Sequence, residues 1–141
     1  MSACTFFGHR DCCADIEPLL VEKIENLIVH KDVNMFYVGD HGSFDRLVVK
    51  TLRETKKKHP QIAYQIVLAY MPHKNEPSDE TLLPDGIEII PKRYAISYRN
   101  QWVIQHSDYV IAYVTRSFGG AAQFVEKATK AEKVVINIAK S

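Results

Sequence analysis

No stretch of this 141-residue sequence approaches the roughly 18 consecutive apolar residues that a membrane-spanning helix requires, so a membrane role is not expected. Nor does the chain open on a basic segment followed by an apolar one. Phe6 and Phe7 run straight into Gly8-His9-Arg10-Asp11, and a plain secretory signal is not expected. Cysteine is scarce: Cys4, Cys12 and Cys13 cannot all pair, and two of them are adjacent. That usage suits a reducing cytosol better than a disulfide framework, which predicts a cytoplasmic protein. Cys12-Cys13 also lacks the C-x-x-C spacing by which two thiolates share one zinc, even with His9 and His41 counted as further ligands, so no metal or other cofactor is expected. Charge of one sign is missing too. A formal net charge of +1 gives no global basic field and makes nucleic acid an unexpected partner, with Lys56 to Lys58 and His59 as a local patch only.

What remains is an ordinary soluble composition, 46% apolar and 25% charged, in a chain long enough to bury one core without staples. Residues 1–141 therefore read as a single domain.

Strand and helix signals alternate along it. Cys4 to Phe7 is a short apolar strand, and Asp15 is placed to cap a helix in which Ile16, Leu19, Leu20, Ile24, Leu27 and Ile28 recur at helical spacing. Pro18 falls in its first turn, where a missing N–H costs little. Met35 to Val38 reads as a second strand, and Ser43 is placed to cap a helix ending in Lys56, Lys57 and Lys58, cations at the negative end of a helix dipole. Ile62 to Tyr70 is a third strand. Met71 to Gly86, with Pro72, Pro77 and Pro84, is long for a connection and is either a lid or a surface excursion. Ile87 to Ile90 reads as a fourth strand, Tyr94 to His106 as a helix, Tyr109 to Val114 as a fifth strand, Ala122 to Lys130 as the last helix and Val134 to Ile138 as a sixth strand. With no hairpin signal, the alternation predicts an α/β fold, a doubly wound Rossmann-like parallel sheet with helices on both faces.

Such sheets bind ligands beyond the carboxyl ends of their strands, where strand order reverses. Three polar turns fall at such ends. The first holds Gly8 and Arg10, whose planar fork suits a phosphate or else a surface salt bridge. The second holds Gly39, Gly42, Ser43 and Asp45, where Asp45 either complements the helix dipole or accepts hydrogen bonds from a ribose or base. In the third, Gly119 and Gly120 precede a helix start, which reads as an ordinary turn or as an anion site built on free N–H groups. Arg99, with Tyr98 and Trp102, offers a cation and an aromatic face that suit a nucleobase, though Trp102 also fits core packing.

Taken together these residues resemble the SLOG superfamily of Rossmann-like proteins, which includes the LOG phosphoribohydrolases, the DprA proteins and the YpsA-like group. The LOG signature is an Arg-bearing helix, then Ser-Asp, an apolar strand and a PGGxGTxxE turn. Here stand Arg99, Ser107-Asp108, the strand to Val114, and Gly119 to Glu126 with both leading glycines and the glutamate in register. Phe118, Ala122 and Gln123 replace the signature's proline, third glycine and threonine. Gly39 to Leu47 is similar to the second-strand turn of short SLOG proteins, and Phe6 to Arg10 to the first-strand turn of the YpsA-like group.

The resemblance implies binding of a nucleotide or nucleotide-derived small molecule, sensed or handled at the strand ends. Its alternative implication is a nucleoside-monophosphate phosphoribohydrolase, in which Arg99 and Glu126 would be catalytic. A DprA-like single-strand binder is a further alternative, and a homodimer is implied by the same likeness.

Overall fold

The computed structural model describes residues 2–11, 14–70 and 80–139. Cys12, Cys13 and most of the connection read as a lid or surface excursion lie outside them. Ten elements follow in order: β1 Ser2–Gly8, α1 Glu17–Lys31, β2 Val33–Val38, α2 Ser43–Lys58, β3 Ala63–Val67, β4 Thr81–Leu82, α3 Ala95–Gln105, β5 Tyr109–Tyr113, α4 Gly120–Lys130 and β6 Val134–Asn137. The six strands form one sheet in the order β4-β3-β2-β1-β5-β6, and every pairing is parallel.

The expected α/β, Rossmann-like sheet is the one observed. After β1 the chain winds outward through β2, β3 and β4, then returns to lay β5 on the other side of β1. Strand order thus reverses between β1 and β5.

Two separate apolar layers make the fold doubly wound. On one face, Leu20, Ile24 and Leu27 of α1 and Phe44, Val48 and Leu52 of α2 pack on Cys4, Phe6, Phe36 and Ile111. On the other, Val103 and Ile104 of α3 and Phe124 and Ala128 of α4 pack on Phe7, Val67 and Val110. Alternation along β1 sends Phe6 to the first layer and Phe7 to the second. Their rings stack on Phe36 and Phe124 at 6.1 and 5.9 Å between centroids. Each such side chain contributes about 1.5–3 kcal/mol by leaving water. Five consecutive buried residues, Ala3 to Phe7, are what a strand covered on both faces requires.

Several sequence expectations shift. Ile87–Ile89 is a 3-10 turn rather than a strand, and the fourth strand is Thr81–Leu82, inside the segment taken for a connection. Ile87 is buried whereas Ile89 is 80% exposed, and this apolar run does not join the sheet. Asp15 does not cap α1; it lies in a 3-10 turn, Ala14–Ile16, and Ile16 holds the cap position without a side-chain bond. Ser43 does not cap α2 either. Gly42 does, and the Ser43 hydroxyl donates to the Arg10 carbonyl. The last helix begins at Gly120, two residues earlier than its composition suggested.

At the amino end of the sheet, Asp108 ties three strands. Its N–H donates to the Ala3 carbonyl at 2.8 Å, its carboxylate accepts the Ala3 N–H at 3.1 Å, and its carbonyl accepts the Val134 N–H at 3.0 Å. Asp108 is therefore architectural and sits opposite the strand ends that carry the candidate site. No helix among the described residues is long and apolar enough to cross a membrane.

Candidate functional site

Beyond the carboxyl ends of β2, β1 and β5 lies a cleft of about 350 Å³, straddling the point where strand order reverses. It is walled by α3 through Ile96, Arg99, Asn100 and Val103, and by the start of α4 through Gly120 and Ala121. Six of the predicted residues line it: Gly8, Arg10, Gly39, Asp45, Arg99 and Gly120.

The exit of β1 forms the floor. A Cβ on Gly8 would stand 2.3 Å from the Phe44 ring, so only glycine lets α2 close on this strand end. His9 is buried. Its Nε2 accepts the Thr115 N–H at 3.0 Å and its own N–H donates to the Tyr113 carbonyl, clamping β1 to the β5 exit. Desolvation, and after it the nearby Arg116 charge, lower its pKa below 6.5 and favour the neutral ring that this bond needs. Arg10 is exposed. Its carbonyl accepts the Ser43 N–H at 3.0 Å, while its guanidinium makes no hydrogen bond or ion pair with any described residue.

The exit of β2 carries a compact ionic cluster. Arg99, only 3% exposed, spends Nη1 on the Val67 carbonyl (2.9 Å) and Asp40 (3.2 Å), and Nε on Asn100 (2.7 Å). Nδ1 of His41 lies 2.8 Å from the same Asp40 oxygen, to which it donates, and so has no lone pair for Arg99 Nη2 at 3.4 Å. Nη2 is thus the Arg99 nitrogen left without an acceptor among the described residues. Asp45 accepts the His41 N–H at 3.0 Å through Oδ2, and its other oxygen takes no hydrogen bond from a described residue. Desolvation pushes its carboxyl up to about 6, against the pull of the His41 N–H and of Arg99. Gly39 is required beneath this cluster, because a Cβ there would meet Asp45 Oδ2 at 2.8 Å and Arg99 Nη1 at 3.0 Å.

The exit of β5 supplies a cation and a helix start. Arg116 lines the cleft, lies 5.3 Å over the exposed Phe118 ring and makes no ion pair with a described residue. Gly119 is the N-cap of α4, at φ 98° and ψ 172°, a conformation open essentially to glycine alone. No side chain caps this helix, and the first bond of its ladder is Gln123 N–H to Gly119 carbonyl. The N–H groups of the first turn therefore stay free, at the positive end of the helix dipole. A Cβ on Gly119 or Gly120 would meet nothing within 4 Å.

The structure does not bring every expected residue to this place. A Cβ on Gly42 would meet the Arg10 Cα at 2.8 Å, and Ser43 bonds the Arg10 carbonyl, so both shape the β1 exit without lining the cleft. Glu126 is mostly exposed on α4, pairs with Lys130 at 3.1 Å and does not line the cleft. It is not joined to Arg99. Trp102 stands edge-on to Tyr37 and stacks on His106, while the Tyr98 hydroxyl donates to the Asp85 carbonyl; neither lines the cleft. Cys4 is buried and free, and burial pushes its thiol pKa up, which makes it inert.

From sequence Asp40, Asn100 and Arg116 are not singled out as ligand residues, and His41 only as a possible metal ligand. All but Asn100 lie inside two of the three turns that were, so position marked them even though residue type did not. Comparison with protein-family models and with curated proteins finds no match to this chain.

Proposed function

We propose that the cleft binds a nucleotide or nucleotide-derived small molecule, which the protein senses or handles. One observation carries this reading. Arg10 and Arg116, both without ion-pair partners among the described residues, face the same cleft as the uncapped start of α4, at the crossover point of a parallel sheet. Such a point is where parallel α/β sheets accept ligands, and this edge suits an anionic group. The order of SLOG-like motifs along the chain supports the same reading. So does the cleft's size, near the lower bound of roughly 300 Å³ for small-molecule sites.

No observation favours the phosphoribohydrolase alternative, since Glu126 stands off the cleft. The DprA-like alternative needs a cationic groove with stacking aromatics, and two isolated arginines do not make one. The same resemblance leads us to propose a homodimer, which light scattering tests directly, and the cysteine usage a cytoplasmic location.

The test of binding is a thermal-shift screen against AMP, ATP, NAD, ADP-ribose, cyclic dinucleotides and ribose 5-phosphate. A ligand at about 100 times its Kd adds about 2.7 kcal/mol to stability. Gly120→Asp has room for its side chain and places a carboxylate at the helix start. It should fold normally and abolish the shift. Arg116→Ala should weaken binding about tenfold or more, as loss of a charged hydrogen bond does. A shift that survives both variants refutes this site, and no shift with any compound refutes the ligand class.

A further inference from the structure

The two edges of the cleft offer different groups. Its β5 edge carries Arg116 and the free N–H groups of α4, and its β2 edge carries the Asp45 carboxylate, with Arg99 and Arg10 as the cations acting on it. The first edge offers free donors to an anion, and the Asp45 oxygen at the other offers an acceptor. That second oxygen has no hydrogen bond from a described residue, and Asp45 lines the cleft. It is an acceptor awaiting a donor. β2 and β5 are separated by β1 alone, which sets their ends about 10 Å apart. One phosphate cannot touch both edges. A phosphate joined to a short hydroxylated carbon skeleton can.

We propose that Asp45 is the specificity-determining residue of the cleft, selecting a hydroxylated organic phosphate over a phosphate ester that has no hydroxyl to donate. The proposal rests on the anion-binding reading above and adds the chemistry of the ligand's other end. Asp45 is held for this role by its neighbours. The His41 N–H fixes one carboxylate oxygen, Gly39 makes room beneath, and Arg99 anchors the turn through Asp40. A carboxylate so fixed accepts hydroxyl hydrogens at little cost in reorganisation, and the loss of a charged hydrogen bond of this kind weakens binding about tenfold to a hundredfold.

The experiment is calorimetric titration of wild type, Asp45→Asn and Arg116→Ala with ribose 5-phosphate, butyl phosphate and inorganic phosphate, at a pH above the Asp45 value of about 6. Wild type is expected to bind ribose 5-phosphate at least about tenfold tighter than butyl phosphate. Asp45→Asn should collapse that ratio by weakening ribose 5-phosphate, without weakening butyl phosphate or inorganic phosphate. Arg116→Ala should weaken all three compounds and keep the ratio. Equal affinity of wild type for the two esters, or a ratio unchanged in Asp45→Asn, overturns the assignment of Asp45 and leaves the anion edge standing. Failure of all three compounds to bind wild type overturns both readings.

Discussion

Gly42 and Gly119 hold nearly the same backbone conformation, φ 94° with ψ 176° and φ 98° with ψ 172°, each as the N-cap of a helix that follows a strand. Their surroundings differ. Gly42 is pressed on the Arg10 backbone, and the Ser43 N–H beside it already bonds the Arg10 carbonyl. Gly119 has open space above it. Identical local geometry thus serves packing at α2 and leaves a free helix start at α4.

Three alanine substitutions separate these roles. Gly119→Ala should cost about 1–3 kcal/mol, the strain of a Cβ in that conformation. Gly42→Ala should cost more, since the same strain is joined by a contact of 2.8 Å with the Arg10 Cα. Gly120→Ala, in a helical position with nothing near its Cβ, should be neutral or stabilising by up to about 1 kcal/mol. Urea unfolding of the three variants checks the ranking, and an unfolded Gly120→Ala would contradict it.

The Asp45 carboxyl makes stability depend on pH in a fixed direction. Its folded-state value, about 6, lies above the ordinary 3.8, so the fold holds this proton more tightly than the unfolded chain does. Its contribution is complete below about 3.8 and is lost as pH rises through about 6. A sealed site would turn that difference into roughly 3 kcal/mol. Solvent in the cleft reduces the expected cost at neutral pH to on the order of 1–2 kcal/mol. Asp45→Asn should therefore be more stable than wild type by that amount near neutrality and equal to it below about pH 4. A variant less stable at neutral pH would show that the ionised carboxylate stabilises the fold.

His9 works in the opposite sense. Its folded-state pKa lies below 6.5, so the neutral ring contributes fully above 6.5 and the contribution is lost as pH falls through the lower folded value. Protonation removes the lone pair that accepts the Thr115 N–H and sets a second cation beside Arg116. Gln at this position keeps an acceptor and does not titrate. His9→Gln should lose less stability than wild type between about pH 7 and about pH 5. Difference curves against each variant are needed, because the Asp45 and His9 slopes partly cancel in the wild type.

How much of this could be read from the sequence follows from what each signal measures. Hydrophobic period located the β1, β2, β3, β5 and β6 strands and all four helices, because burial on two faces of a parallel sheet leaves a strong apolar pattern. The same signal misplaced the fourth strand. Ile87, Glu88, Ile89 and Ile90 look strand-like, yet Thr81 and Leu82 pair with Ile66 and Val67 instead, a two-residue edge too short to leave a period. The turns at strand ends were legible through glycine, and three of them do meet at one cleft. Side-chain partners were not. Nothing in the spacing shows that Arg99 spends most of its donors on Val67, Asp40 and Asn100, or that Glu126 faces water beside Lys130. Those depend on which helix face meets the sheet, and charged residues carry no period of their own.

Arg99 is the residue whose substitution should report on fold and site at once. It joins the ends of β2 and β3 to α3 through two chemically different acceptors, a carboxylate and a backbone carbonyl. Lys at this position keeps the charge but replaces a planar fork with a single ammonium, which cannot meet Val67, Asp40 and Asn100 together. The buried Val67 carbonyl would lose its side-chain donor, a cost of about 1–3 kcal/mol. Asp40 is 36% exposed and can recover water, so Asp40→Asn should cost less than Arg99→Lys. A double-mutant cycle between them should give a coupling of about 1 kcal/mol or less. A much larger coupling would mean that the ion pair, rather than the bond to Val67, is what holds α3 against the strand ends.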